Sequence, residues 1–199
     1  GNFNATLSQR QPGSAFKPFV YATAFKKGYT PETTVFNLRT QFQTTCAPNN
    51  LTSEDDCYSP ENYDGVFGGP ITFREALAQS VNVPSVKVLY LSGLHDSLRT
   101  AKDMGIKGLT DISRYGLTLV LGGGEVSLLD MTSAYGVFAN EGIRNEPVAI
   151  LRVEDGDGNI IEEFSQRTKA VIPANIALQI SDILSDEDAR APAFGHHSY

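Results

Sequence analysis

Ser14 and Lys17 have side chains and a spacing that can support nucleophilic catalysis. At positions i and i+3 of a helix, two side chains share one face and can touch. A serine hydroxyl is a poor nucleophile until a neighbouring base accepts its proton, and lysine can be that base only where burial or nearby charge lowers its pKa. A helix N-terminus also directs backbone N–H groups toward an oxyanion. The pattern therefore predicts acyl transfer through Ser14, with Lys17 as proton acceptor.

Ser80 and Asn82 form a second polar pair, which we expect between two helices. Thr72 and Glu75 have capping-box spacing, so a helix should begin there and run through 76–78. It should end near Ser80, because Pro84 disfavours helical geometry in the residue before it and suits the start of the next helix. The pair therefore lies at a helix-to-helix corner.

Spacing alone does not decide what these four residues do. A chain of this composition contains about 0.5 S-x-x-K and about 0.8 S-x-N matches by chance. Ser14 could simply cap a helix while Lys17 extends to solvent, and the corner residues could simply satisfy backbone groups.

The elements that would hold these residues are predicted to be mainly helical. The stretch 16–25 is apolar nearly all round, which indicates a buried helix, and Pro18 places its start close to Ser14. Lys26, Lys27 and Gly28 then form a typical helix end. The other segments have signals of their own: helices over 84–91, 97–104, 127–139 and 173–184, a β-hairpin over 148–164, and a polar loop excursion over 29–69, with an insertion at 40–69.

Composition limits the class of protein. Hydrophobic residues at 41% and charged residues at 20% are typical of a globular domain. A formal net charge of −7 is the wrong sign for a phosphate-backbone binder, so we expect no nucleic-acid partner. No apolar run is long enough to cross a bilayer, and we expect any signal or anchor to lie outside this chain.

Three other motifs do not support cofactor or metal chemistry, so we predict neither. Asp155 to Asn159 begins like a calcium loop but lacks the glycine and glutamate that such a loop needs, which favours a turn. Gly122 to Gly124 is not followed by lysine and fails as a phosphate loop. His196 and His197 lie at the chain end without an HExxH pattern.

Cys46 and Cys57 flank a mostly polar stretch of ten residues. They either close a loop disulfide, which would place the protein outside the cytoplasm, or remain as two free thiols. We expect the disulfide, because the spacing matches no zinc pair and the three histidines complete no site.

Longer sequence context resolves the ambiguity of the serine motifs. The segments RQPGSAFKPFVY at 10–21 and TFREALAQSVNVP at 72–84 resemble the first two active-site motifs of the transpeptidase domain of class A penicillin-binding proteins. The resemblance continues through LGGGEVSLLDMTSAY at 121–135 and FANEG at 138–142. It covers most of the chain in the family's order.

The resemblance implies an α+β, helix-rich part of the fold shared by serine β-lactamases and penicillin-binding transpeptidases. It implies that Ser14 is acylated by D-Ala-D-Ala stem peptides of peptidoglycan and that Lys17 accepts its proton. Ser80 would relay protons to the leaving amine, and Asn82 would hold a substrate carbonyl and order Lys17. The Ser14 N–H would supply half of the oxyanion hole, and β-lactams would be trapped as slow acyl adducts.

One family motif is missing. No Lys-Thr-Gly or close variant occurs in the 199 residues. We therefore expect residues 1–199 to be part of a transpeptidase domain, with much of the central antiparallel sheet missing from the chain. Its apolar surface should then pair with the rest of its own domain or self-associate, and the parent should be anchored at the extracytoplasmic face of a bacterial membrane.

Two alternatives remain open. A β-lactamase or carboxypeptidase would need a base for water, and Glu141 and Asn145 have an E-x-x-x-N spacing that is common by chance. A non-catalytic binding or packing module would perform no covalent chemistry at all.

Overall fold

The computed structural model describes residues 3–54, 56–109 and 114–198. Within these ranges the structure is helix-rich. The helices are α1 Lys17–Lys26, α2 Phe73–Ala78, α3 Asn82–Ser92, α4 Leu94–Asp103, α5 Leu128–Ala139, α6 Ala174–Ser185 and α7 Glu187–Phe194. Two 3₁₀ turns cover Gly13–Phe16 and Leu117–Leu121.

The strands of the described residues are short and pair two by two, always antiparallel. The pairs are β1 Gln9–Arg10 with β4 Val126–Ser127, β2 Thr34–Asn37 with β3 Gly69–Thr72, β5 Ile143–Asn145 with β8 Thr168–Ala170, and β6 Arg152–Glu154 with β7 Ile160–Glu163. The structure is therefore α+β, with small ladders around a helical core, and the described ranges contain no larger sheet.

Helix α1 is the centre of the core. It packs against α2, α3, α4 and α6, and every residue from Lys17 to Phe25 is buried. A helix that is apolar all round is stable in water only when neighbours cover all of its faces. Gly28, with a positive φ of 96°, follows its last turn. The predicted buried helix and its glycine end are both present, although the α-helix proper begins at Lys17 and the residues around Ser14 form a 3₁₀ turn.

Helices α2 and α3 form the predicted corner. The Thr72 hydroxyl accepts from the Glu75 N–H at 3.1 Å, and the Glu75 carboxylate accepts from the Thr72 N–H at 2.8 Å. This reciprocal pair is a capping box. Helix α3 begins at Asn82, earlier than the predicted start at Pro84. The proline is tolerated because N–H groups of a first helical turn have no partner within the helix.

Helix α4, strand β2 and helix α7 differ from the sequence-based predictions. Helix α4 begins at Leu94, not at 97. Strand β2 lies inside the stretch 29–69 that the sequence assigned to a loop, because an alternation over four residues is too short to separate from irregular polar sequence. Helix α7 was missed because Pro192 lies inside it. Asp186 caps α7 by accepting from the Ala189 N–H at 2.9 Å.

Residues 38–54 and 56–68 belong to a long excursion between the paired strands β2 and β3. Cys46 and Cys57 form a disulfide within it. The Gln41 side chain links two other parts of the excursion. It accepts from the Tyr58 N–H at 2.7 Å and donates to the Asn50 carbonyl at 2.6 Å. The excursion is therefore ordered by side-chain to backbone hydrogen bonds rather than by regular structure.

None of the helices in the described ranges has the length and apolar character that crossing a membrane requires. Among the same residues, no cluster of three or more His, Cys, Asp or Glu side chains is arranged to hold a metal ion.

Candidate active site

Lys17 is the first residue of α1, and its side chain is fully buried. Its Nζ donates to the Ser80 carbonyl at 2.6 Å, to Ser80 Oγ at 3.1 Å and to Asn82 Oδ1 at 2.9 Å. Removal from water disfavours a charged amine and lowers the pKa of Lys17 to about 7. At neutral pH a large fraction of this amine is therefore unprotonated and able to accept a proton.

Ser14 lies in the 3₁₀ turn that leads into α1. The Lys17 N–H donates to the Ser14 carbonyl, which is the i to i+3 bond of such a turn. Side chains three residues apart eclipse each other in a 3₁₀ turn, so Ser14 and Lys17 face the same way. Together with Ser80 they line a cavity of about 200 Å³. Ser14 is solvent-exposed, and no described residue hydrogen-bonds to its hydroxyl in the structure.

Ser80 occupies a position that normally favours glycine. The Ser80 N–H donates to the Leu77 carbonyl and the Val81 N–H to the Ala76 carbonyl, which is the Schellman pattern at the end of α2. The Ser80 φ is +57°. A left-handed conformation costs a side-chain-bearing residue about 1 kcal/mol. The backbone therefore holds a serine where glycine would be easier, and the hydroxyl contacts Lys17.

Asn82 is the first residue of α3, and both ends of its amide are engaged. Oδ1 accepts from Lys17, and Nδ2 donates to the Glu61 carbonyl at 3.1 Å. The Glu61 carbonyl can pair only with the amide nitrogen, so it sets which end of the amide points at the lysine. The two motifs predicted from the sequence thus meet at the Lys17 amine.

The turn that carries Ser14 is packed against the glycine-rich segment after the second 3₁₀ turn. A Cβ atom on Gly122, whose φ is +89°, would lie 2.2 Å from the Gly13 nitrogen. Gly122 must therefore lack a side chain at this contact. Gly122 therefore allows close backbone packing beside Ser14.

The walls of the site include residues that sequence reasoning missed. Tyr135 lines the Ser14 cavity and donates its hydroxyl to the Ala15 carbonyl at 2.9 Å. Arg190 and Phe194 of α7 close another side of it. An adjoining cleft of about 750 Å³ reaches Tyr63. No spacing rule marks these side chains, because they come from separate segments that only the tertiary fold brings together.

Glu141, considered as a base for water, lies in the turn after α5 with a positive φ of 49°. In the described part of the chain, Glu141 lines neither the Ser14 cavity nor the adjoining cleft. The structure therefore does not bring the E-x-x-x-N pair to Ser14.

Similarity to known proteins is extensive. A family model described as the penicillin binding protein transpeptidase domain matches residues 2–197. The chain is 33% identical over 181 residues to penicillin-binding protein 2D of Bacillus subtilis, covering 90% of the chain and 25% of that protein. It is 36% identical over 190 residues to penicillin-binding protein 1A of Vibrio cholerae, covering 94% of the chain and 21% of that protein.

Solved structures show the same fold. Penicillin-binding protein 1A from Haemophilus influenzae superposes with a TM-score of 0.80 at 22% identity, over 95% of this chain and 31% of that one. PonA1 from Mycobacterium tuberculosis in complex with penicillin V gives 0.79 at 20% identity, over 100% of this chain and 52% of that one. The chain spans 25% of the first of these curated relatives and 21% of the second.

Proposed function

The chain belongs to the penicillin-binding protein transpeptidase domain family, and on that premise we propose that the protein cross-links peptidoglycan stem peptides through an acyl-enzyme on Ser14. The single observation that carries this proposal is the buried Lys17 amine, which joins the Ser14 turn to the Ser80–Asn82 corner. Its lowered pKa suits a general base that operates near neutral pH.

In the acylation step, neutral Lys17 accepts the Ser14 hydroxyl proton as Oγ attacks the carbonyl carbon of the penultimate D-Ala. Backbone N–H groups at the 3₁₀ turn, that of Ser14 among them, stabilise the oxyanion. When the intermediate collapses, the C–N bond breaks and the leaving D-Ala amine takes a proton from Ser80 Oγ. Lys17, now an ammonium 3.1 Å from that oxygen, returns a proton to it.

In the second step, an amine of a neighbouring stem peptide attacks the acyl carbon, forms the cross-linking amide and releases Ser14. The same relay runs in reverse: Ser80 and Lys17 take the amine proton and Ser14 recovers one. Asn82 binds the donor peptide carbonyl while its Oδ1 orders the lysine. Penicillins acylate Ser14 by opening the β-lactam ring, and the adduct persists because no leaving group departs.

Hydrolysis to a free carboxylate, as in a carboxypeptidase or β-lactamase, is the competing outcome of the same acyl-enzyme. Glu141, the residue considered as a separate base for water, does not line the cavity. Cross-linking is therefore the better proposal. The Cys46–Cys57 disulfide supports an extracytoplasmic location, where stem peptides also occur.

Labelling with a fluorescent penicillin tests the nucleophile. The natural protein that carries this chain is incubated with the label, and the adduct is mapped by mass spectrometry. We expect one adduct on the Ser14 peptide and none in Ser14→Ala, with Ser8→Ala as a matched serine control that labels normally. Equal labelling of Ser14→Ala and the unchanged protein would reject the assignment.

A second assay separates transfer from hydrolysis. The acyl-enzyme formed from a D-Ala-D-Ala peptide is offered an acceptor amine at increasing concentration. The cross-linked amide should rise at the expense of the free acid. A product that stays free acid at every amine concentration would favour the carboxypeptidase.

A further inference from the structure

We infer that Asn62, a buried side chain outside both serine motifs, is a positioning residue for the reaction, because it caps α3 and thereby fixes the corner that carries Ser80 and Asn82. This inference rests on the proposed function. Asn62 would not touch substrate and would act through the residues that do.

The N-terminus of α3 requires an acceptor that its own cap residue cannot provide. Val81 is the N-cap, and its apolar side chain makes no capping hydrogen bond. Val83 is the second residue of the helix, and its N–H is one of the donors left without an intrahelical partner. Asn62 Oδ1 accepts from that N–H at 3.0 Å. A residue 21 positions away in the sequence therefore takes the place of an N-cap side chain.

The amide nitrogen of Asn62 is hydrogen-bonded as well. Nδ2 donates to Asn37 Oδ1 at 2.7 Å and to the Val66 carbonyl at 2.7 Å. Asn62 and Asn37 are only 5% and 7% exposed. A buried amide with its donors and acceptor all engaged holds one orientation, since any rotation would leave polar groups unpaired. Asn37 belongs to β2, so Asn62 ties the start of α3 to a strand.

The residue before Asn62 contacts Asn82 directly. The Glu61 carbonyl accepts from Asn82 Nδ2 at 3.1 Å, and Asn82 Oδ1 accepts from Lys17. Consecutive residues of one loop thus hold the α3 backbone and the Asn82 amide. If the Asn62 anchor is lost, the Glu61 carbonyl and the first turn of α3 lose their common support. The Asn82 amide would then no longer be held toward the Lys17 amine.

The test compares three variants of the natural protein by the rate constant of penicillin acylation. Asn62→Ala removes the acceptor and both donor contacts, and we expect acylation about ten-fold to a hundred-fold slower. Asn62→Asp keeps an oxygen for the Val83 N–H but places a carboxylate oxygen against the Val66 carbonyl, to which Asn62 Nδ2 donates at 2.7 Å, so acylation should be slower than in the unchanged protein and faster than in Asn62→Ala. Asn37→Ala is the matched control: it opens the same buried network but leaves the Val83 contact, and should stay within about three-fold of the unchanged protein.

A merely structural role for Asn62 predicts a different pattern. Partial unfolding lowers the fraction of molecules that are labelled, in proportion to the loss of folded protein seen by circular dichroism. A displaced corner lowers the rate constant in folded molecules. Unchanged acylation in Asn62→Ala, or an equally slow Asn37→Ala, would overturn the inference. If Asn62→Ala does not fold, Asn62→Asp decides, and acylation of its folded molecules as fast as in the unchanged protein would overturn the inference. No Ser14 adduct in the unchanged protein would overturn the proposed function itself.

Discussion

Burial lowers the pKa of the Lys17 amine, and none of the hydrogen-bond acceptors that the structure describes around Nζ is a carboxylate. All three acceptors around Nζ are uncharged oxygens of Ser80 and Asn82. A carboxylate in their place would stabilise the ammonium form and raise the pKa. Neutral acceptors hold the amine in position without that effect, so the group can change its protonation state near neutral pH.

The pH dependence of acylation follows from this tuning. Only the neutral amine can accept the Ser14 proton, and the pKa of Lys17 is lowered to about 7. The rate constant for penicillin acylation should therefore rise about ten-fold per pH unit well below 7 and level off above it. Stopped-flow labelling between pH 5 and 9 measures the profile.

Lys87 offers a matched control for this profile. It lies on α3, burial also lowers its pKa, and its Nζ donates to the Phe36 carbonyl at 2.7 Å. Lys87→Met should leave the midpoint unchanged, whereas Lys17→Met should abolish acylation. A midpoint near the ordinary lysine value would show that burial does not tune this base.

At the scale of elements, the sequence predicted the parts whose signals are local. The capping box at Thr72 and the apolar surface of α1 are both encoded within a few residues. The fold class inferred from the resemblance is confirmed by the solved structures. The left-handed Ser80 could not be predicted, because serine has no preference for that conformation and the Schellman turn alone imposes it. Asn62 was missed because its partner, the Val83 N–H, is brought to it only by tertiary structure.

Two glycines test how closely the elements around the nucleophile are packed. Gly122 has a positive φ and would place a Cβ against Gly13, so Gly122→Ala should destabilise the protein by more than about 1 kcal/mol and slow acylation. Gly136 lies inside α5, and a methyl group added to its Cα would meet no atom within 4 Å apart from its chain neighbours and the nearby backbone of its own helix. Gly136→Ala should therefore stabilise the protein by about 0.5–1 kcal/mol.

Chemical denaturation measures both free energies of unfolding, and penicillin labelling measures the rates. The two alanine variants should move stability in opposite directions, and Gly136→Ala should leave acylation unchanged. Similar free energies of unfolding for the two variants would mean that the backbone around Gly122 can accommodate a methyl group without loss of stability.

At the scale of the molecule, exposed apolar side chains concentrate on the hairpin formed by β6 and β7 and the residues leading into it. Ile150 is 66% and Ile161 is 67% exposed. Several neighbours are also exposed, namely Val148, Leu151, Val153, Ile160 and Phe164. Exposed apolar groups concentrated in this way favour association in water.

We therefore expect the 199-residue chain to self-associate through this hairpin. Replacing both Ile150 and Ile161 by threonine, which retains strand propensity, should shift sedimentation toward the monomer. Leu178 on α6, 52% exposed away from the hairpin, provides the control: Leu178→Thr should have no such effect. A chain that sediments as a monomer at every concentration before any substitution would contradict this expectation.

The disulfide has a consequence for how the catalytic site assembles during folding. Lys17 and Ser80 are 63 residues apart, and the Cys46–Cys57 crosslink, with a separation of 11, lies within that span. Because the entropy of loop closure varies with the logarithm of length, this shortcut lowers the cost of bringing the two motifs together by only about 0.2 kcal/mol. Forming the disulfide therefore does little to speed the encounter of Lys17 with Ser80 in the unfolded chain. That encounter depends on collapse of the apolar helices, and the crosslink mainly restricts the polar loop that it closes.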